Sequence, residues 1–315
     1  MMSLKFHFYF LILYANIIVP TQSLGDICLP KDHVALFIFG DSVVDVGNNN
    51  YINTTTDLQA NFWPYGESFF KYPTGRPSNG RLIPDFIAEY AKLPLIPPYL
   101  QPGYNRYIDG ANFASVGAGA LVETRQGLVI GLNAQLNYFK NMETQLRQEL
   151  GEKEAKALLF RAVYFISIGS NDYFVPLTSN SSVLQSYSHE EYVNMVIGNL
   201  TTVIKEIYKK GGRKYVLLGL GPYGCSPLFK ALKPGNTGFT EGNIACCGTG
   251  PYNGIPSCGG KRSVKEYTLC ENVSDYVFFD SGHPSEKAYQ QFAELIWSGT
   301  PNVTGSYNLK TLFEH

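Results

Sequence analysis

Short apolar runs that end in polar, glycine-rich turns alternate along this chain with longer stretches at helical spacing. Val34-Ala35-Leu36-Phe37-Ile38-Phe39 is continuously apolar and stops at Gly40-Asp41-Ser42, the pattern of a strand buried on both faces in a parallel sheet. Leu82, Ile83, Phe86, Ile87 and Tyr90 share one helical face, with Pro94 and Pro97-Pro98 as stops beyond them. Ala111 to Ala114 reads as a brief strand running into Gly117-Ala118-Gly119. A helical stretch from about Leu132 to Leu159, interrupted at Gly151, leads to a third strand, Val163 to Ile168, which ends in Gly169-Ser170-Asn171-Asp172. A helix from His189 to Lys210 closes on basic residues followed by Gly211-Gly212. A fourth strand follows at Tyr215 to Leu218, and a last helix runs from about Ser285 to Trp297. Strands alternating with helices predict a three-layer α/β/α fold around a central parallel sheet, with ligands bound beyond the carboxyl ends of the strands. The turns at 40–42, 115–119 and 169–172 are therefore expected to converge at one edge of the sheet.

One region resists this reading. From Gly219 to Asp280 there is no convincing helix and, until Tyr276-Val277-Phe278-Phe279, no strand. Structureless stretches beyond ~15 residues are uncommon inside compact domains. Four of the six cysteines, Cys246, Cys247, Cys258 and Cys270, crowd into this Gly- and Pro-rich region, while Cys28 and Cys225 lie outside the cluster. Their spacings match no CxxC pair, and adjacent Cys246-Cys247 suit tetrahedral zinc poorly, so disulfides of undetermined connectivity are expected.

The cysteines imply an oxidising compartment, and the first residues agree. Lys5 and His7 precede an apolar run from Phe8 to Val19, with small residues before a plausible cut after Ser23. That is a signal-peptide pattern over 1–23, too short for the ~20 apolar residues of a membrane span. The mature domain, 24–315, is expected to be secreted. Five Asn-X-Ser/Thr sequons, at Asn53, Asn180, Asn199, Asn272 and Asn302, lend weak support to glycosylation. The chain of 315 residues is 44% apolar and carries 25 Lys+Arg against 26 Asp+Glu. This composition excludes a disordered chain, and the balanced charge argues against nucleic acid or an anionic membrane surface as partner. No later segment predicts stable membrane insertion, and nothing indicates an oligomeric state.

Candidate chemistry sits at the strand ends. A serine hydroxyl is a weak nucleophile unless a base removes its proton. Ser42 stands where the first buried strand turns, and His283 in Asp280-Ser281-Gly282-His283 is the best base among five histidines. Asp280, three residues ahead, can orient the imidazole and stabilise its charged form. Singly these elements are weak, since Gly-Asp-Ser is a common turn and Asp-X-X-His often a surface or capping feature.

In order, Gly40-Asp41-Ser42, Asn112 to Gly119, Gly169 to Asp172 and Asp280 to His283 resemble the blocks of the GDSL esterase/lipase family of the SGNH hydrolase superfamily. Asp45-Val46-Gly47-Asn48-Asn49-Asn50-Tyr51, Arg81 to Tyr90 and Ala293 to Gly299 resemble its plant branch of secreted, defence-associated lipases. The resemblance covers nearly the whole mature chain. It implies Ser42 as nucleophile, His283 as base, Asp280 as its partner, and an oxyanion hole of the Ser42 and Gly117 backbone N–H groups with the Asn171 amide. Val116 replaces a usually small residue beside Gly117.

The resemblance implies hydrolysis of acyl esters or lipids through an acyl-enzyme, without metal or organic cofactor. Alternatives are deacetylation or acyl transfer on a cell-wall polysaccharide, and a catalytically silent extracellular binding variant. The family has a longer segment after Gly235, where Phe229 to Gly235 here joins Gly238 to Gly242 almost directly. The resemblance thus implies a domain shortened between about 235 and 238 and lacking a fifth edge strand. The fourth strand would then be an apolar edge open to aggregation, and Cys225 would lack its partner. The expectation is a poorly stable, weakly active or inactive protein that keeps all five site residues.

Overall fold

The computed structural model describes residues 29–30, 32–178, 182–221, 223–232 and 243–315. The expected signal peptide, the junction near Gly235 and the Asn180 sequon lie outside the described residues. In chain order the elements are β1 (Leu36–Gly40), α1 (Ile83–Tyr90), β2 (Gly110–Asn112), α2 (Leu132–Leu150), α3 (Glu152–Arg161), β3 (Val163–Ser167), α4 (Ser170–Thr178), α5 (Val183–Ser186), α6 (His189–Lys210) and β4 (Lys214–Leu217). They continue with α7 (Pro227–Leu232), β5 (Cys247–Gly248), β6 (Thr268–Leu269), α8 (Glu286–Ser298), α9 (Pro301–Thr304) and α10 (Leu309–Glu314).

The main sheet has the order β2-β1-β3-β4, and every pair is parallel. Side chains alternate across a strand, and β1 shows the consequence. Phe37 and Phe39 face a core with Phe139, Leu158 and Ile207 of α2, α3 and α6, whereas Leu36 and Ile38 face one with Phe86, Tyr289 and Leu309 of α1, α8 and α10. This makes three layers, α/β/α, with β1 and β3 buried throughout. Gly40 lets β1 and β3 close up at their carboxyl ends, since a Cβ there would stand 2.1 Å from the Ser167 carbonyl.

Two expectations need correction. Gly169 to Asp172 is not only a turn: α4 begins at Ser170. The Asp172 carboxylate in its first turn accepts N–H groups of Ala120 and Leu121 at 2.8 and 3.0 Å, tying the helix start to the loop after β2. The 219–280 region also holds more structure than its composition suggests. It contains α7, and β5 pairs antiparallel with β6, while Phe278 makes only isolated bridges, to Ala245 and Pro284, instead of a strand.

Disulfides account for that region's order. Cys246 bonds Cys270 and Cys247 bonds Cys258, closing short loops where little apolar surface is available. The four sulfurs pack with Ala60, Tyr65 and Phe279 into a third small core. Cys225 carries a free thiol. Among the described residues no helix is long and apolar enough to cross a membrane.

Candidate active site

Ser42 follows β1 by two residues, in a turn closed by the N–H groups of Val44 and Asp45 bonding the Asp41 carbonyl at 3.2 and 3.1 Å. The next stretch fixes this turn against the loop after β2. Buried Asp45 accepts from the N–H of Gly47, Asn48 and Val116 at 2.7, 2.8 and 2.8 Å. Asn48 and Asn49 donate to the carbonyls of Asn112, Ala114, Leu58 and Val116. The turn that carries Ser42 and the loop that carries Gly117 are therefore one hydrogen-bonded unit. Burial lifts both the Asp41 and the Asp45 carboxyl to about 6.

His283 reaches the same cleft from the segment before α8. Its Nδ1 lies 2.9 and 3.0 Å from the two Asp280 oxygens, and the N–H groups of Gly282 and His283 also donate to Asp280 Oδ1. Tyr65 donates its hydroxyl to Asp280 Oδ2 at 2.6 Å, and Arg262 adds a nearby buried cation. Burial alone would raise the Asp280 carboxyl. The His283 ring, Arg262 and Tyr65 together overcome it and hold the group well below the usual carboxylate range. With Nδ1 facing a carboxylate, a neutral imidazole carries its proton there and presents a bare Nε2.

The disulfide-closed lobe supports this pair from behind. Cys246 and Cys247 donate their N–H groups to Phe278 and Phe279, directly before Asp280, at 3.0 and 2.7 Å. Tyr65 and Arg262 are site residues that reading the sequence missed. Tyr65 lies 215 positions from Asp280, and nothing in its local sequence signals the contact. Asp45, Asn48 and Asn49 were more visible, because so dense a cluster of turn-forming side chains after a buried strand asks for a role.

Ser42, Gly117 and Asn171 line the same cleft as His283. Gly117 has φ +86°, which calls for glycine, and Arg125 Nη1 lies close against it, 2.6 Å from where a Cβ would stand. Neither the Ser42 nor the Gly117 backbone N–H has a hydrogen-bond partner among the described residues. Asn171, near the start of α4, donates one Nδ2 hydrogen to the Ala118 carbonyl at 3.0 Å and accepts from Arg125 Nη1 at 3.0 Å, which leaves its second amide hydrogen unspent. Ser42, Gly117, Asn171, Asp280 and His283 all line one cleft of about 320 Å³.

The family model described as GDSL-like Lipase/Acylhydrolase matches residues 36–296, most of the chain. The chain belongs to that family. It is 49% identical to "GDSL esterase/lipase 1" of Arabidopsis thaliana, with 93% of this chain and 95% of the relative covered. It is 45% identical to the "GDSL lipase" of Tanacetum cinerariifolium, with 91% and 90% covered. The first alignment runs over 354 positions, more than the 315 residues present here, so that relative has residues without a counterpart in this chain. Within this family of carboxylic ester hydrolases, the cleft at the carboxyl ends of β1, β2 and β3 is the candidate active site.

Proposed function

We propose that this protein is a secreted esterase or lipase that hydrolyses carboxylic (acyl) esters through a Ser42–His283–Asp280 acyl-enzyme mechanism. Ser42 Oγ attacks the ester carbonyl as His283 Nε2 takes its proton. The carbonyl oxygen becomes an oxyanion held by the Ser42 and Gly117 N–H groups and the Asn171 amide. Asp280 stabilises the imidazolium, which then protonates the departing alcohol. Water repeats the cycle in reverse, with His283 accepting its proton, and releases the acid and free Ser42. No step calls on a metal or an organic cofactor.

The observation that carries this reading is the pair of backbone N–H groups, at Ser42 and Gly117, that find no partner among the described residues. Gly117 is buried, and buried N–H groups without a partner are rare in folded proteins. Donors left open beside a serine and a carboxylate-bound imidazole suit a charge that forms only during reaction, and each such donor contributes about 3 kcal/mol in acyl transfer. A cleft of about 320 Å³ is at the small end for ligand sites.

Secretion through a cleaved 1–23 leader fits two disulfides, which persist in oxidising compartments. The proposal includes the shortened region after Gly235. It is supported by the surplus alignment positions and by β4, which pairs only with β3 among the described residues and leaves Leu217 54% exposed. Turnover is then limited by the folded fraction of the preparation.

The test is the purified chain on 4-nitrophenyl esters of increasing acyl length, with Ser42→Ala as control. Hydrolysis of short esters that falls by roughly a thousandfold or more in Ser42→Ala, at unchanged far-UV circular dichroism, supports the assignment. Activity retained within about tenfold refutes Ser42 as nucleophile. Release of acetate from acetylated glycans, with simple esters untouched, would move the assignment to a polysaccharide deacetylase.

A further inference from the structure

Two guanidinium groups line the cleft, and they differ in how their charge is answered. Arg262 stands beside Tyr65 and the Asp280 carboxylate, and both favour its charged form. The Arg125 guanidinium makes one hydrogen bond among the described residues, from Nη1 to Asn171 Oδ1 at 3.0 Å, and no ion pair. Asp57 and Asp41 act on it only through space, and burial outweighs them, pulling the Arg125 guanidinium below its ordinary pKa.

The position of Arg125 is as specific as its charge. Its Nη1 and Cδ would stand 2.6 and 3.2 Å from a Cβ at Gly117, so the group lies against one oxyanion donor while bonding the other. The Phe174 ring centroid is 5.8 Å from its Cζ. Its backbone adopts φ +51°, a left-handed conformation that costs a non-glycine residue energy and concentrates at functional sites. A guanidinium carries five N–H donors in a fork that matches carboxylate and phosphate. Here one donor holds Asn171, and the others find no acceptor among the described residues.

We propose that Arg125 forms an anion-reading subsite of the cleft, which selects esters that carry a carboxylate or phosphate group near the scissile bond. This rests on the esterase reading above. The substrate's anion supplies the direct partner that Asp57 and Asp41, acting only through space, do not, and its bidentate contact places the ester carbonyl beside Gly117 and Asn171. Arg125 also positions Asn171, so its loss would slow every ester; the subsite concerns the preference between esters.

The experiment compares kcat/KM ratios, which cancel a common loss of activity or folded fraction. For an anion on the acid side, the pair is 4-nitrophenyl hydrogen glutarate against 4-nitrophenyl pentanoate. For an anion on the alcohol side, it is 1-butyrylglycerol 3-phosphate against 1-butyrylglycerol. The wild type should favour the charged member of one pair by roughly tenfold or more, Arg125→Gln should bring the ratio near or below one, and Arg125→Lys should keep part of it. No preference in either pair, or a preference that Arg125→Gln leaves intact, overturns the subsite. Equal losses on charged and neutral esters in Arg125→Gln also overturn it, leaving Arg125 a positioning residue for Asn171. Calorimetric binding of glutaramate, which carries one carboxylate, against neutral pentanamide reads the subsite without turnover. An Arg125-dependent preference for glutaramate in a protein that hydrolyses no ester would leave the subsite standing and count against the esterase reading alone. Equal affinities in that protein would overturn the subsite.

Discussion

The two flanks of β3 are built to different standards. Toward β1 and β2 every strand residue is buried, the turns beyond the strands are cross-tied by Asp45, Asn48, Asn49 and Asp172, and the cleft residues sit on that frame. Toward β4 the burial fades, Leu217 and Leu220 are 54% and 48% exposed, and Cys225 is unpaired. The residues proposed for catalysis stand on the first flank and on the segment before α8, while the stretch after β4 supplies cleft wall, through Ser226, Leu228 and Phe229. A weak edge can therefore lower the amount of folded protein while leaving the chemistry of each folded molecule in place. A long exposed strand edge is also a template for association.

The sharpest test of this contrast truncates one apolar side chain on each flank. Phe39→Ala removes a fully buried ring packed against Phe113 and Phe139 and should cost about 3–5 kcal/mol, enough to abolish cooperative unfolding in a marginal protein. Leu217→Ala should stay within about 0.5 kcal/mol in denaturant titrations, and Leu217→Lys should slow aggregation. Similar costs at the two positions would break the comparison.

A smaller effect separates the buried frame by pH. Asp41 and Asp45 hold their protons up to about 6 in the folded protein, whereas their ordinary value is near 3.8. The stability this gives is full below the unfolded value and disappears as pH rises through 6. Lowering the pH from 7 to 5 should then stabilise the fold by about 1 kcal/mol per carboxyl, seen as a rising Tm. Asp280 shifts the other way, and its contribution is lost only on acidification below the ordinary carboxylate range. A Tm that falls between pH 7 and 5 would contradict the burial of both carboxyls as the source of their shifts.

The smallest effect concerns the lobe behind the cleft. Tyr65→Phe removes one donor from Asp280 and leaves its negative charge more available to the imidazole. The acid limb of the kcat/KM profile should move to higher pH by a fraction of a unit. A drop in rate with the limb unmoved would make Tyr65 a packing residue only.

What was legible in the chain follows the same division. β1, β3 and α6 announce themselves because continuous apolar runs and basic-then-glycine stops report local physics, and α6 runs from His189 to Lys210 as its pattern predicts. Gly151 separates α2 from α3 where the helical stretch was expected to break. The lobe between 243 and 280 was opaque, because its order comes from two disulfides and a few backbone bonds between distant segments rather than from periodicity. In the cleft, the turn residues at strand ends were visible, and those reaching in from elsewhere were not. Tyr65, Arg125 and Arg262 acquire their roles only through the folded contacts.

The most direct test of the account is labelling with a fluorophosphonate, with the modified residue located by peptide mass spectrometry. The account predicts one adduct, at Ser42, on the folded fraction, and its loss in His283→Ala. A folded protein that takes no label, or takes it at another serine, would contradict the assignment of this cleft as an acyl-transfer site.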